Sequence, residues 1–382
     1  FSFYMIHDAH IVIVGAGIGG LTAALCFRHL GYRVDVFEQS PELKEVGAGI
    51  QISPNALRVF EKLGLKETLK AGGVRAQAIQ LMNHAPSRAI ARLDLAKSRA
   101  QGGYYLFHRA DLLTVLVDAC SDAGVPIHLG QLIDGPTSLQ QHNFDLIVGA
   151  DGLHSNFRKL LNPHSRAFFT GQIAWRSVVE NVIAQPAEAR VHMGPHRHIV
   201  TYPIRGGRDL NVVCIKEQAD WSDEGWNHPD DPSILKRKFG DFSGLLPVFD
   251  RVHSLHKWGL FRHPVADTWA EGNVAIMGDA AHPTLPFLAQ GAVMAIEDAW
   301  VLAACFHRDG LGGLQAYQSI RMPRVTRVLA AANSNAWKYH LANPIVRNLA
   351  HTALGAGSRI APARLVRQFD WIYAHDVTQD VT

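Results

Sequence analysis

Apolar and polar positions change their period several times along the chain, and the changes mark out its elements. The stretch HIVIVGAGIGGLTAALCFRHLGYRVDVFE opens on a β-branched run, passes a glycine turn into a helical pattern with Leu21, Leu25 and Leu30, and ends in RVDVFE. That succession predicts a βαβ unit. Ser53-Pro54 signals a helix over about Asn55 to Lys62, and the short strand YYLFH precedes another helix from about Arg109 to Ala123. Residues 145–150, DLIVGA, form a continuous apolar run suited to a buried parallel strand.

From about residue 170 to 262 the texture alternates, as in RHIVTYPI and DLNVVCI, broken by Arg205-Gly206-Gly207 and an Asp/Pro/Trp-rich loop at 220–233. This predicts a mostly antiparallel second domain. NVAIMGD (273–279) returns to the buried parallel style, and a helix begins near Gly291. The chain is expected to re-enter its first domain there.

Composition narrows the class. At 382 residues the chain holds two to three domains or one large α/β unit, and 47% apolar with 19% charged residues excludes long disordered tracts. A net charge of +3 lacks the basic footprint of a nucleic-acid binder, so a small-molecule function is expected, with no nucleic-acid partner. Residues 321–382 carry 8 basic and 3 acidic groups, read as a solvated helix face. The four cysteines are scattered with no CxxC pair, which points to a reducing, cytoplasmic compartment. The longest uncharged apolar run, Ile11 to Phe27, has 17 residues of which four are glycines, and reads neither as a membrane span nor as a signal peptide. FSFY precedes Met5, which reads as a plausible start.

The sharpest chemical signal is Gly15-Ala16-Gly17-Ile18-Gly19-Gly20 between strand and helix, with Glu38 closing the next strand. Gly15 permits the tight turn, Gly17 admits a pyrophosphate, and Gly20 lets the helix pack on the sheet. Glu38, 18 positions after Gly20, is spaced to accept hydrogen bonds from an adenosine ribose. This fingerprint predicts dinucleotide binding and leaves NAD and FAD both open. His192, His196 and His198 lack an HExxH or carboxylate pattern, so no metal site is expected. His198 and Tyr202, four apart on a strand, share one face at roughly 13 Å.

With EVGAGIQISPNA (45–56), FHRADL (107–112), GADGLHSNFR (149–158), IAWR (173–176), YPIRGG (202–207) and GDAAHPTLPFLAQGAVMAIEDA (278–299), the chain resembles the single-component FAD-dependent aromatic hydroxylases. That family includes the salicylate, 3-hydroxybenzoate and 6-hydroxynicotinate hydroxylases, and the likeness runs from His10 to about Ala342. It implies a p-hydroxybenzoate hydroxylase-like α/β fold: a Rossmann-type FAD-binding domain (5–70, 100–170 and 265–330), interrupted by an antiparallel-sheet substrate domain (71–99 and 171–264), and a helical C-terminal segment (331–382). The 130–144 edge is trimmed relative to the family's longer hairpin.

The resemblance also implies roles. NAD(P)H reduces bound FAD, and O₂ supplies the oxygen inserted into a phenolate-activated small aromatic substrate. Asp279 contacts the ribityl chain, Gly291 opens a helix at the flavin pyrimidine edge, Arg109 contacts FAD, and Asp151 and Arg158 match positions used for FAD and nicotinamide-cofactor contacts. His198 holds or deprotonates the substrate phenol and Tyr202 lines the same pocket. Purely structural alternatives stand beside these: a helix N-cap for Asp279, a plain helix start at Gly291, a surface arginine at 109, a turn and cap at Asp151-Gly152, and satisfied sheet residues at 198 and 202. Where 3-hydroxybenzoate 6-hydroxylases carry a glutamine, this chain has Pro286, which favours a salicylate-like substrate. A monomer or homodimer without membrane attachment is expected. Rival functions are a flavin reductase or halogenase on the same fold, an NAD dehydrogenase, and a non-catalytic flavin-binding regulator.

Overall fold

A computed structural model describes residues 8–43, 48–139, 144–221 and 228–381. The first four residues, part of EVGAGIQISPNA, part of the trimmed 130–144 edge and part of the 220–233 loop lie outside the described residues.

The six-stranded first sheet runs, edge to edge, Ala270–Glu271, Val274–Ile276, Leu146–Gly149, His10–Val14, Arg33–Phe37 and Ile127–His128. Its pairs are parallel except the hairpin at Ala270–Glu271. Helix Ile18–His29 makes the crossover between the two strands around the glycine turn. Ile11, Val12, Ile13, Leu146 and Val148 are buried, as strands covered on both faces must be. The strand expected over 273–279 ends at Ile276, because the chain turns at Gly278, whose φ of +58° suits glycine.

The second sheet has eight strands in the order His228–Pro229, His256–Arg262, Phe168–Glu180, Asp209–Glu217, Arg197–Ile204, Glu188–Gly194, Ala78–Asn83 and Arg88–Asp94. All its pairs are antiparallel except Glu188–Gly194 with Ala78–Asn83, joined by a long crossover. The two-residue alternation sorts its faces. Ile173, Trp175, Ile199, Val212 and Cys214 pack on Phe239, Phe242, Val248 and Phe249 from the helical segments at Ser233–Phe239 and Leu246–Phe249. Ala174, Ile215, Trp258 and Leu260 point the other way and meet Leu285 and Leu288, while Tyr202 and Ile204 meet Leu106 and again Leu288. The His198 and Tyr202 face is therefore the one turned to the loop before Gly291.

A three-stranded antiparallel sheet (Gly49–Ile52, Tyr105–His108, Val74–Arg75) bridges the two. The chain ends in helices, among them Gly291–Asp309, Gly313–Ala336 and Pro344–Ile360. The basic excess after residue 320 differs from the solvated face expected of it. Arg321 is fully buried and Arg324 nearly so, neutralised by Glu297 and Asp298 of the preceding helix. The fold is α/β, with a parallel sheet, a mostly antiparallel sheet inserted into it, and a helical C-terminus.

Candidate active site

The glycine turn is built as its spacing implies. A Cβ on Gly20 would fall 1.9 Å from the Gly15 carbonyl oxygen, and one on Gly15 would fall 2.3 Å from that of Ala150. At Gly17 a Cβ would meet nothing within 4 Å, so this glycine leaves open space beside the start of helix Ile18–His29. That helix start has no side-chain cap and no acidic residue in its first turn, which leaves its positive end available to an anion. Glu38 is held in place by the N–H of Ala16 on Oε2 and of Ser40 on Oε1, both at 2.8 Å. A carboxylate has about four acceptor positions, so two remain for ribose hydroxyls.

A cavity of about 360 Å³ is lined by Arg109 at a helix start, by Asp151, Asp279 and Pro286 in segments that follow parallel strands, and by Trp258, Leu260 and Phe261 of the second sheet. Asp279 follows the strand Val274–Ile276, where open parallel sheets bind ligands. Its side chain is exposed to the cavity yet crowded by protein. That crowding raises its carboxyl pKa, opposed by the charges of His282 and Arg109. Asp151 Oδ2 accepts the N–H of Asn156 at 2.8 Å at the start of helix Asn156–Leu161, whose N-cap is Ser155, while its buried Oδ1 has no hydrogen-bond partner. Burial raises this carboxyl too, against bonds from Ser155 and nearby backbone. An orphaned acceptor and a desolvated acid in one cavity fit the hydroxyl-rich chain of FAD.

Gly291 opens helix Gly291–Asp309 without a side-chain cap. Gln290, just before it, spends its side chain on Ser53 and Asn55. Ala289 adopts a left-handed φ of +52°, a strained turn of the kind found at functional sites. Arg158 stands apart from the cavity lining. Its four terminal N–H groups go to Ala280 O, Ala281 O, Ser165 Oγ and Pro264 O, so it braces the turn behind Asp279.

His198 and Tyr202 are buried and also lie outside the residues lining this cavity. His198 shares a cross-strand row with Ile215, Ala174 and Trp258, and Trp258 does line it. Tyr202 packs against Gly49, where a Cβ would come within 2.5 Å of the phenol ring. Burial pushes its hydroxyl above the ordinary range.

Sequence reasoning did not single out Asp298, Arg321 and Glu297, which join the site to the C-terminal helices. Asp298 Oδ2 meets His282 Nε2 at 2.5 Å, Arg321 bridges Asp298 and Glu297 at 2.8 and 2.7 Å, and Asn55 donates to Glu297 at 2.6 Å. Burial pushes the Asp298 carboxyl up, but His282 and Arg321 hold it at about 2. The available signal was an acidic pair inside an otherwise apolar helix, since buried acids need partners. Among the described residues no group of three or more His, Cys, Asp or Glu can hold a metal ion, and no helix is long and apolar enough to cross a membrane.

These features define an FAD-binding monooxygenase scaffold. The chain belongs to the FAD binding domain family, matched over residues 8–332. It is 34% identical to 3-amino-4-hydroxybenzoate 2-monooxygenase of Streptomyces cremeus, covering 87% of this chain and 88% of that one. It is 32% identical to 3-hydroxybenzoate 6-hydroxylase 1 of Aquipseudomonas alcaligenes, over 84% and 86%. The fold matches a salicylate hydroxylase substrate complex with a TM-score of 0.80 at 20% identity, over 98% and 97% of the two chains. The protein is a single-component flavoprotein monooxygenase of the aromatic hydroxylase type, with FAD as its cofactor.

Proposed function

We propose that this enzyme hydroxylates a small phenolic or hydroxypyridine carboxylate, with NAD(P)H as reductant and O₂ as oxygen source. What carries the reading is one arrangement: the cavity holding Arg109, Asp151 and Asp279 is closed on its far side by the sheet whose same face bears His198 and Tyr202. The relatives named above act on hydroxybenzoates, which supports an aromatic carboxylate. Bound FAD supplies the oxygen-activating chemistry.

The chain's residues supply the rest. The Gly15 to Gly20 turn and Glu38 hold the dinucleotide end, while Asp151, Asp279 and the start of helix Gly291–Asp309 hold the ring end. Trp258, Leu260, Phe261 and Leu285 keep water from the cavity. A phenol ionises only near pH 10, so at neutral pH its hydroxyl proton needs an acceptor, the role given to His198, and its removal makes the ring electron-rich. Four buried, unpaired cysteines suit a cytoplasmic protein.

Pro286 lines the cavity and offers no side-chain or backbone donor. A substrate group requiring a donor there is left unpaired at about 1 to 3 kcal/mol, or roughly 5- to 150-fold. Salicylate or 6-hydroxynicotinate is therefore favoured over 3-hydroxybenzoate. Comparing kcat/KM for salicylate, 6-hydroxynicotinate, 3-hydroxybenzoate, 4-hydroxybenzoate and 3-amino-4-hydroxybenzoate, with product identification, tests this. Preference for 3-hydroxybenzoate contradicts the role given to Pro286.

A further inference from the structure

His198 sits at the inner end of a line of short contacts. Its Nδ1 lies 2.6 Å from Nε2 of His340, and Nδ1 of His340 lies 2.9 Å from Oε1 of Glu217. The other oxygen of Glu217 meets Nδ1 of His196 at 2.6 Å. The line starts at a residue 1% exposed and ends at side chains 42% and 60% exposed, so it links the interior to solvent.

The chemistry of the partners orders the protons. A carboxylate only accepts, so Nδ1 of His340 donates to Glu217. Neutral His340 then presents a lone pair at Nε2, which takes the Nδ1–H of His198. His198 is thereby fixed in the tautomer whose Nε2 is the base.

We propose that His340 and Glu217 form a proton relay that carries the substrate's hydroxyl proton from His198 to the protein surface. The inference rests on the proposed role of His198 as base. The substrate O–H bond breaks, its electron pair stays on oxygen, and an N–H bond forms at Nε2 of His198. The Nδ1 proton of His198 passes to Nε2 of His340, the Nδ1 proton of His340 passes to Glu217, and water beside the Glu217–His196 pair takes it up. No atom changes oxidation state.

Burial explains why a relay is needed. The interior and neighbouring His340 push the His198 pKa well below its ordinary value, so a cation is not held there. Around it stand the Tyr339 ring at 5.3 Å and, through His340, Glu217 and His196. Adjacent Arg197 is turned to Lys238 O and Asp241, and Lys216 pairs across the sheet with Arg197. His340 acts as a positioning and relay residue, since it meets His198 rather than substrate.

The test uses the FAD-loaded enzyme and 4-hydroxy-3-nitrobenzoate, whose ionisation is read by absorbance in stopped flow without turnover. His340→Gln can keep both hydrogen bonds, but an amide cannot pass a proton by exchanging tautomers. Its expected behaviour is FAD and probe affinity within about threefold of the parent, with phenolate formation slowed roughly tenfold to hundredfold in dilute buffer. Glu217→Ala cuts the exposed end, with the same slowing relieved by added imidazole, whereas the parent rate is indifferent to imidazole. Parent rates without imidazole dependence in Glu217→Ala overturn the relay, and they do so even if His340→Gln does not fold. His198→Ala separates the two claims: if it alone blocks phenolate formation the base stands without the relay, and if it ionises the probe at the parent rate the base fails as well.

Discussion

The backbone N–H of Gly278 donates to Oδ2 of Asp298 at 3.0 Å, tying the long helix after Gly291 to the turn that presents Asp279. The same oxygen holds His282, and the other oxygen takes Nε of Arg321. The acid, the arginine and the histidine are all fully buried, so loss of one partner strands the others' charge or donors. Asp298→Asn is therefore expected to cost about 3 to 5 kcal/mol in denaturant unfolding. It should also weaken FAD retention, because the Asp279 turn loses its anchor. A parent-like unfolding curve would show that the network carries little of the fold.

Gly17 separates binding from folding. Its φ of −73° suits any residue, and a Cβ there meets nothing in the protein. Gly17→Ala should keep the parent's thermal midpoint while raising the Kd for FAD at least about tenfold, as one charge-assisted phosphate contact of about 1.5 kcal/mol is lost. Gly20→Ala should lose both, because its Cβ collides with the Gly15 carbonyl. Equal FAD affinity in Gly17→Ala and parent would remove the pyrophosphate from this turn.

The glycine turn was legible because it is local: six consecutive residues between a strand and a helix suffice to specify it. Asp151 and Asp279 were legible for a related reason, since each follows a parallel strand that a continuous apolar run announces. The partners of His198 were not. His340 lies 142 positions away on a segment with no pattern of its own, and only the packed C-terminal helices bring it to the sheet. Arg321 looked like one more basic residue in a basic segment, because the sequence does not reveal that helix Gly313–Ala336 turns it inward against Glu297 and Asp298. Arg158 illustrates the reverse: its motif is plain, while its guanidinium is occupied by backbone carbonyls.

His198→Ala should lower kcat for hydroxylation by about 10² to 10⁴, the usual loss for a general base, with FAD affinity nearly unchanged. The second effect follows because His198 lies on the second sheet, whereas the glycine turn, Glu38 and Asp279 belong to the first. Parent-like turnover from pH 6 to 9 would make His198 a packing residue.

Buried histidines also set the stability profile. Burial and the charge of Arg190 depress the His192 pKa to about 3, and burial lowers those of His198 and His340. In the unfolded chain each titrates near 6.5, so below that pH the unfolded state binds protons that the folded state refuses. Stability is thus fully present above about pH 6.5 and declines as pH falls toward 3. At pH 5 the expected loss from His192 is about 2 kcal/mol, from 1.36 kcal/mol per pH unit. His192→Gln, which keeps a partner for Thr201 and does not titrate, should flatten the midpoint-versus-pH curve between 7 and 5. An unchanged slope would assign the acid sensitivity elsewhere.

The central claim is that this enzyme inserts one atom of molecular oxygen into an aromatic carboxylate at the expense of NAD(P)H. Turnover of the FAD-loaded protein under ¹⁸O₂, with the substrate panel and mass analysis of products, tests it most directly. The account predicts NADH or NADPH oxidation stimulated by at least one hydroxylated aromatic carboxylate, and a product carrying one ¹⁸O. Reduced-cofactor oxidation that yields only hydrogen peroxide with every member of the panel would contradict it.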